Sequence, residues 1–192
     1  MTEPTLTVTD LRQYAYCPRV VYFTYVQPLE RPTTYKMRRG LTEEEQLRAL
    51  ERRRTLTRYG LHEGQRHFDC WLRSEDLNLT GKADLLIETE DAVLPVEFKF
   101  TDEEPSSNHR LQVTAYCMMA GEQFGKPSAG GFLCRITDGQ VWEHEASSHW
   151  RGRVRSQMAA IRQMIDDEAF PGRPSRSGKC VDCEFRLFCG DV

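Results

Sequence analysis

The sequence predicts a mixed α/β domain built around a small central sheet. Apolar residues recur at helical spacing near the start, the middle and the end of the chain, and two groups of segments between them alternate apolar and polar residues. With 39% hydrophobic and 10% aromatic residues among 192, the chain is long and apolar enough to bury a core. The order of elements favours one domain over residues 1–192, with helices flanking the sheet.

The first third of the chain contains two predicted helical regions. Thr9 is the predicted N-cap of a first helix, and Pro18 interrupts this helix and restarts it before residues 19–25. Residues 26–37 contain two prolines and predict an extended connection. Residues 42–57 are rich in Glu, Leu, Ala and Arg, and they predict a second helix.

Three strands are predicted in the middle of the chain. Apolar and polar side chains alternate around residues 68–72, and the same pattern recurs in LNLTGKADLLIETE and in AVLPVEFKF. A third helix is then expected over residues 108–124. GGFLCRI and QVWEHEA predict two further strands joined by a turn at residues 137–139. Apolar residues at helical spacing predict a long helix over residues 149–169, followed by a loop that leads to the last cysteines.

The hairpin formed by the second and third strands shows the strongest sign of catalysis. If residues 89–92 form its loop, the register places Asp84 opposite Glu97, with both side chains on one face and about 5 Å apart. Two carboxylates at this distance repel each other unless a cation lies between them. Mg²⁺ binds one or two carboxylates together with waters and phosphate oxygens. We therefore predict a divalent-metal site here.

Lys99 is predicted to stand beside this metal. Side chains alternate along a strand, so Glu97 and Lys99 share a face while Val96, Phe98 and Phe100 pack behind it. A metal ion here can polarise a phosphoryl oxygen and activate a water, and Lys99 can stabilise developing charge or orient that water. The alternative is a solvent-facing hairpin with scattered charges.

The third predicted helix adds a polar pair to this region. Gln112 and Tyr116 are four residues apart and lie on one helical face. They can contact a DNA backbone or hold Lys99 in place. The alternative is an ordinary pair of boundary residues, which is common on helices.

Four of the seven cysteines form a separate pattern at the two ends of the chain. Cys17 stands in Tyr-Cys-Pro-Arg, and Cys180, Cys183 and Cys189 are spaced as C-x2-C-x5-C. Disulfides are not expected in a reducing cytoplasm, so metal ligation is the better explanation. Structural zinc sites usually have two close pairs of ligands, whereas iron–sulfur clusters accept four thiolates at varied spacings. An iron–sulfur cluster is therefore favoured over zinc.

Such a cluster would clasp residues of about 9–25 to residues of about 178–190, and its expected role is structural. The other three cysteines lie in apolar segments, where cysteine usually behaves as a small buried hydrophobe. They are Cys70, Cys117 and Cys134.

Composition and charge exclude some classes of protein. No segment approaches the roughly 20 apolar residues of a membrane span, and the N-terminus lacks the features of a signal peptide, so a cytoplasmic protein with no membrane segment is expected. A net charge of −3 argues against a simple DNA-coating protein. Four basic clusters nevertheless favour contacts with phosphate, and they lie at residues 36–39, 52–54, 151–155 and 173–179.

These motifs together resemble a known family. Three motifs are similar to those of the PD-(D/E)xK nuclease superfamily, in its RecB-like branch. They are G-x-x-D at Gly81 and Asp84, E-x-K at Glu97 and Lys99, and Q-x-x-x-Y at Gln112 and Tyr116. The four cysteines resemble the iron–sulfur subset of that branch. The short length and the Tyr-Cys-Pro-Arg opening are most similar to the CRISPR-associated RecB-like nucleases of spacer acquisition. The resemblance covers nearly the whole chain.

The resemblance implies a restriction-endonuclease-like core, a [4Fe-4S] cluster on the four cysteines and cleavage of DNA with Mg²⁺ or Mn²⁺. It also implies a role for each motif residue. Asp84, Glu97 and the main-chain carbonyl of Phe98 would hold the metal. Lys99 would be the catalytic lysine, and Gln112 and Tyr116 would support the site.

The implied role is an exonuclease, or a PAM-directed endonuclease, that processes prespacers which are single-stranded or carry overhangs. It would act with the CRISPR adaptation integrase, and a homo-oligomer is left open. Two alternatives remain. One is a DNA- or PAM-recognition subunit of that complex with little cleavage of its own, and the other is a recombination or repair nuclease outside CRISPR.

One position departs from the family pattern. Members commonly carry a histidine ligand on the second helix, a few residues after a glycine, but here Gly40 is followed by Leu-Thr-Glu-Glu-Glu. Glu44 lies nearest the expected position and could supply an oxygen ligand. A carboxylate suits Mg²⁺ at least as well as imidazole does.

Overall fold

The fold is seen in a computed structural model that describes residues 4–30, 49–101, 103–172, 174, 177–181 and 183–189. Within these residues the strands are β1 (Leu6–Thr7), β2 (Gln65–Ser74), β3 (Leu79–Glu88), β4 (Val93–Lys99), β5 (Gly130–Arg135) and β6 (Val141–Glu145). The helices are α1 (Val8–Tyr16), α2 (Pro18–Tyr25), α3 (Ser107–Phe124), α4 (Ser148–Asp166) and the single turn α5 (Arg186–Cys189). Short 3₁₀ helices lie at Leu56–Tyr59 and Ser177–Cys180.

All six strands belong to one mixed sheet. Its order is β1-β3-β4-β5-β6, and β2 pairs with β3 outside this path. β1 with β3 and β4 with β5 are parallel pairs, and the other neighbours are antiparallel. The predicted mixed α/β fold, with helices flanking a mixed sheet, is confirmed.

The β3–β4 hairpin has the predicted register. Leu85 pairs with Val96 and Glu88 pairs with Val93, which leaves residues 89–92 as the loop. The side chain of Thr89 closes this loop, because its hydroxyl accepts the backbone N–H of Ala92 at 3.0 Å. The regular ladder ends at Leu85 and Val96, one residue before Asp84 and Glu97.

Alternate residues of the hairpin enter two cores. Leu86 belongs to the larger core, which is formed with α1, α3 and α4. Its neighbour Leu85 packs in a second cluster with Tyr59 and Phe98, and the alternation of side chains places this cluster on the opposite face of the sheet. Phe100, which was predicted to pack behind the site, is 37% exposed because it lies beyond the end of β4.

The first helix begins earlier than predicted. Its N-cap is Thr7 rather than Thr9, because Thr7 and Asp10 form a capping box. The Thr7 hydroxyl accepts the backbone N–H of Asp10 at 3.1 Å, and the Asp10 carboxylate accepts the backbone N–H of Thr7 at 2.7 Å. Pro18 begins α2 as predicted, at the position where its missing N–H costs nothing.

Two predicted helix ends were too late. Residues 49–51 are the described helical part of the predicted helix 42–57, which therefore ends before residue 57. The chain turns there because Glu51 is buried against Arg58, at 3.0 Å, and Tyr59. α4 ends at Asp166 rather than at residue 169, and Glu168 adopts the left-handed region at φ 51°. None of the described helices has the length and apolar character needed to cross a membrane.

Candidate active site

Glu97 lies at the centre of the candidate site and is only 4% exposed. Its Oε1 accepts hydrogen bonds from Lys99 Nζ at 2.5 Å and from Gln112 Nε2 at 2.7 Å. β4 presents Glu97 and Lys99 on the same face, and α3 lies over that face. A carboxylate with this burial is stabilised only by such charged and polar partners.

The other carboxylate oxygen of Glu97 has no such partner. Oε2 is buried and makes no hydrogen bond with any residue in the described part of the chain. A buried anionic oxygen without a donor is costly unless a cation or a polar ligand binds it. Mg²⁺ and Mn²⁺ are hard cations that prefer oxygen ligands, so this oxygen is suited to bind one of them.

Asp84 closes the hairpin where the ladder of backbone bonds stops. Its Oδ2 accepts the backbone N–H of Phe98 at 2.8 Å, so a side chain takes the place of a strand partner. The contact holds the Asp84 carboxylate against β4 next to Glu97. Both carboxylates also act on Tyr116: burial raises the pKa of its phenol, and the charges of Glu97 and Asp84 raise it further. The hairpin therefore gathers both predicted acids at one place.

Gln112 and Tyr116 fix α3 to the two strands of the hairpin. The Gln112 amide binds Glu97 rather than Lys99, and the Tyr116 hydroxyl donates to the backbone carbonyl of Lys82 at 2.8 Å. One residue therefore orients the central acid on β4 and the other holds β3. Both are buried, which is consistent with support of the site rather than with direct contact with DNA.

Residues 35–190 match the PD-(D/E)XK nuclease superfamily. The chain belongs to this superfamily. The sequence-based prediction of a DNA nuclease is therefore confirmed, and membership implies a divalent metal.

Proteins similar over nearly the whole chain carry the name CRISPR-associated exonuclease Cas4. One from Francisella tularensis subsp. novicida is 29% identical over 184 residues, which cover 96% of this chain and 93% of that protein. Another, from Aeropyrum pernix, is 27% identical over 191 residues, which cover 95% and 93%. The predicted resemblance to CRISPR-associated RecB-like nucleases is confirmed by these relatives.

A solved structure has the same fold. The crystal structure of SSO0001 aligns with a TM-score of 0.55 and 16% identity, over 99% of this chain and 88% of that one. At this identity the similarity concerns the fold alone.

Gly81 of this PD-(D/E)XK nuclease allows Tyr116 to reach β3. A Cβ atom at this position would lie 2.7 Å from Val8 Cγ2 and 3.1 Å from Tyr116 Cε1. We expect Gly81→Ala to destabilise the protein by about 1–3 kcal/mol, because neither the branched valine nor the packed ring can give way freely. Urea unfolding measures this change.

Gly152→Ala is the matched control for Gly81→Ala. Gly152 lies in α4, and a Cβ atom there would have nothing within 4 Å. This substitution should stabilise the nuclease by about 0.5–1 kcal/mol, since alanine loses less backbone entropy in a helix than glycine. Equal effects of the two substitutions would contradict the close contact at Gly81.

The N- and C-terminal segments meet at a second place, away from Glu97. Tyr16 and Lys179 are tied by reciprocal bonds: the Tyr16 hydroxyl donates to the Lys179 carbonyl at 2.6 Å, and Lys179 Nζ donates to the Tyr16 carbonyl at 2.8 Å. Phe185, which is 2% exposed, packs with Phe23 and Cys17 in one small core. The structure thus joins the two ends of the described chain.

The four predicted ligand cysteines lie around this junction. Cys183 and Cys189 pack against the small core that contains Cys17. Burial raises the pKa of the Cys17 thiol, and the nearby thiols of Cys189 and Cys180 raise it further. No group of three or more His, Cys, Asp or Glu side chains in the described part of the chain is placed to hold a metal ion. A cluster on these cysteines therefore stays a prediction.

Arg19, the arginine of Tyr-Cys-Pro-Arg, was not singled out from the sequence. It is 8% exposed, and its Nη1 donates to the Cys189 sulfur at 3.2 Å. Its Nε donates to the carbonyl of Pro171 at 2.8 Å, and its guanidinium lies 4.4 Å from the centre of the Phe170 ring. Arg19 therefore ties α2 to the C-terminal segment through Cys189.

Some other predicted residues can also be placed. Cys117 and Cys134 are buried as expected, whereas Cys70 is only partly buried. Glu44, the suggested replacement for the family histidine, lies outside the described residues.

Proposed function

We propose that this nuclease is a metal-dependent DNA exonuclease that trims prespacers for CRISPR spacer acquisition. The observation that carries the proposal is the buried Glu97 carboxylate, which has Lys99 on one oxygen and no donor on the other among the described residues. A solvent-facing hairpin would leave both groups exposed. An acid–lysine pair with an open anionic oxygen is suited to a cation and a phosphodiester.

The residues of the hairpin have separate roles in this proposal. Asp84, Glu97 and the main-chain carbonyl of Phe98 would hold the metal, and the metal would act as a Lewis acid on a phosphodiester oxygen. Lys99 Nζ, held 2.5 Å from Glu97 Oε1, would stabilise the negative charge that develops on the phosphate. Gln112 and Tyr116 would keep these groups in place from α3.

The biological part of the proposal rests on the relatives. Two relatives, each similar to this chain over 93% of its own length, are named CRISPR-associated exonucleases. Because the similarity extends over nearly the whole of both chains, this protein would act on the same class of substrate. The partner would then be the adaptation integrase, and the substrate a prespacer that is single-stranded or carries overhangs.

A [4Fe-4S] cluster on Cys17, Cys180, Cys183 and Cys189 belongs to the same proposal. Cys183 and Cys189 pack beside Cys17, and the Arg19 guanidinium bonded to Cys189 suits a cluster with a net negative charge. The cluster would be structural, because it would link the same two segments that are otherwise joined, among the described contacts, by a small core around Phe185, the Tyr16–Lys179 bonds and the Arg19–Cys189 bond.

The test is a cleavage assay on protein purified without oxygen. Single-stranded DNA and duplexes with overhangs, labelled at the 5′ or the 3′ end, are incubated with Mn²⁺, Mg²⁺ or a chelator. We expect cleavage that requires the metal and produces a ladder of products shortened from one end.

The products separate this proposal from its rivals. A single discrete cut near one sequence would replace the exonuclease with a sequence-directed endonuclease. Folded, iron-loaded protein that binds DNA without cutting it in any metal would support a recognition subunit of the integrase complex instead. Trimming that is unchanged by the integrase would favour a repair nuclease outside CRISPR.

A further inference from the structure

The first turn of α3 places a histidine next to the candidate active site. His109 precedes Gln112 by three residues, so both lie on one face of α3, and Gln112 binds Glu97 at 2.7 Å. The described contact of the His109 ring is Nδ1 with the Ser106 hydroxyl at 3.3 Å. The ring therefore extends the row of side chains that runs along α3 from Tyr116 through Gln112.

An arginine reaches the same place from α1. Val8 of α1 packs against Gly81 and the Tyr116 ring, and Arg12 is four residues further on, on the same face of the helix. The charge of Arg12 acts on both His109 and Tyr116. Because α1 and α3 share one core, Arg12 lies on the face of α1 that meets the α3 row.

Among the described residues, Arg12 has no paired anion. Burial, with help from the charges of Lys99 and Arg12, lowers the pKa of His109 to about 4, so the imidazole is neutral at pH 7. Lys99 is paired with Glu97. Arg12 is half-buried and has neither a hydrogen bond nor an ion pair with any described residue. The nearest acid on its own helix, Asp10, is occupied by Thr7 and Tyr25.

We propose that Arg12 and His109 form a subsite for one backbone phosphate of the bound DNA strand, next to the phosphate at Lys99. A guanidinium presents its N–H groups in a planar fork that matches phosphate oxygens, and a neutral imidazole adds one N–H donor without repelling Arg12. The subsite recognises the phosphodiester and no base. It rests on the proposed DNA substrate.

The test measures DNA affinity in a chelator, so that binding is seen without cleavage. Labelled single-stranded oligonucleotides of two unrelated sequences are titrated at several salt concentrations. We expect Arg12→Ala to weaken binding roughly tenfold for both sequences and to reduce the slope of log K against log salt by about 0.7, the loss of one contact with a single-strand phosphate. His109→Ala should weaken binding less and leave the slope unchanged, because the imidazole carries no charge.

Two further variants keep the result interpretable. Arg73→Ala is the matched control, because Arg73 lies on β2, outside the four basic clusters, with a side chain that is 69% exposed, and it should change neither affinity nor slope. Arg12→Lys keeps the charge and should keep the slope while it loses part of the affinity. In cleavage assays with metal, Arg12→Ala should raise KM and leave kcat within about threefold, as expected for a contact made equally in the ground and transition states.

Failure of the subsite and failure of the proposed function give different results. If wild-type protein binds and cuts DNA but Arg12→Ala matches Arg73→Ala in slope and KM, the subsite is wrong and the nuclease proposal stands. If folded wild-type protein binds no DNA, the proposed function and the subsite fall together. A loss confined to one of the two sequences would also contradict the subsite, since it would indicate a base contact.

Discussion

Glu97→Gln is expected to reduce DNA cleavage by at least about 10³-fold, which corresponds to about 4 kcal/mol of transition-state stabilisation. The neutral amide keeps the shape of the side chain and one hydrogen-bond acceptor for Gln112. It removes the charge that would hold the cation, and it replaces the ion pair of Lys99 with a weaker bond to a neutral oxygen. The measurement is the single-turnover rate on end-labelled DNA at saturating Mn²⁺.

Stability must be measured on the same variant, because Glu97 is buried. The substitution removes a carboxylate whose second oxygen makes no hydrogen bond within the described residues, so we expect the melting temperature to change by no more than a few degrees. Glu143→Gln makes the same chemical change at an exposed position of β6 and should alter neither rate nor stability. A rate within tenfold of wild type for folded Glu97→Gln protein would remove Glu97 from the chemistry.

The sequence was most informative where a pattern repeats. Alternation predicted the strands β3 and β4, and a loop placed at residues 89–92 predicted their register, which the structure shows in the pairs from Leu85–Val96 to Glu88–Val93. Helix ends were less predictable, since they depend on single contacts. Thr7 caps α1 because Asp10 lies three residues later, and the chain after Glu51 turns because Arg58 and Tyr59 bind that buried acid.

The candidate site shows the same division. Glu97, Lys99, Gln112 and Tyr116 were predicted from short motifs, but the partner of each was not. Sequence spacing says that Gln112 and Tyr116 share a face, and only the packing of α3 shows that one binds an acid on β4 and the other a carbonyl on β3. His109 is three residues before Gln112, and this spacing already indicates in the sequence that the two side chains share a face of the helix.

Arg12 and Arg19 could not have been assigned in this way. Each reaches its partner through the tertiary arrangement of α1 and α2, which brings residues from the start of the chain to α3 and to Cys189, respectively. A local pattern contains no information about such contacts. The residues around Arg12 in the sequence are those of an ordinary helix, and nothing among them distinguishes Arg12 from other arginines.

Cys183→Ser is expected to abolish iron binding and to lower the yield of soluble protein sharply. A hydroxyl is a poor ligand for iron compared with a thiolate, and the free energy of cluster binding is also folding free energy. The junction affected is small: it consists of Phe185, Phe23 and the bonds between Tyr16 and Lys179. Without a cluster, so small a core has little to hold the tail. Iron and sulfide analysis, the brown colour and thermal unfolding measure the change.

Cys70→Ser is the matched control, because Cys70 is a partly buried cysteine of β2 outside the group at the junction. It should retain its iron and its solubility. A colourless Cys183→Ser protein with wild-type stability would contradict the structural role of the cluster. One equivalent of zinc and no iron in anaerobically purified wild-type protein would replace the cluster with a zinc site.

The soluble fraction of Cys183→Ser also reports on how the junction serves the active site. α1 ends at Tyr16, immediately before Cys17, and the same nine-residue helix carries Arg12 four residues earlier. Glu97, Lys99 and Gln112 lie on β4 and α3, which have their own core contacts. Loosening the junction should therefore raise KM for DNA more than it lowers kcat. A fall in kcat with KM unchanged would show that the junction supports the carboxylates rather than α1.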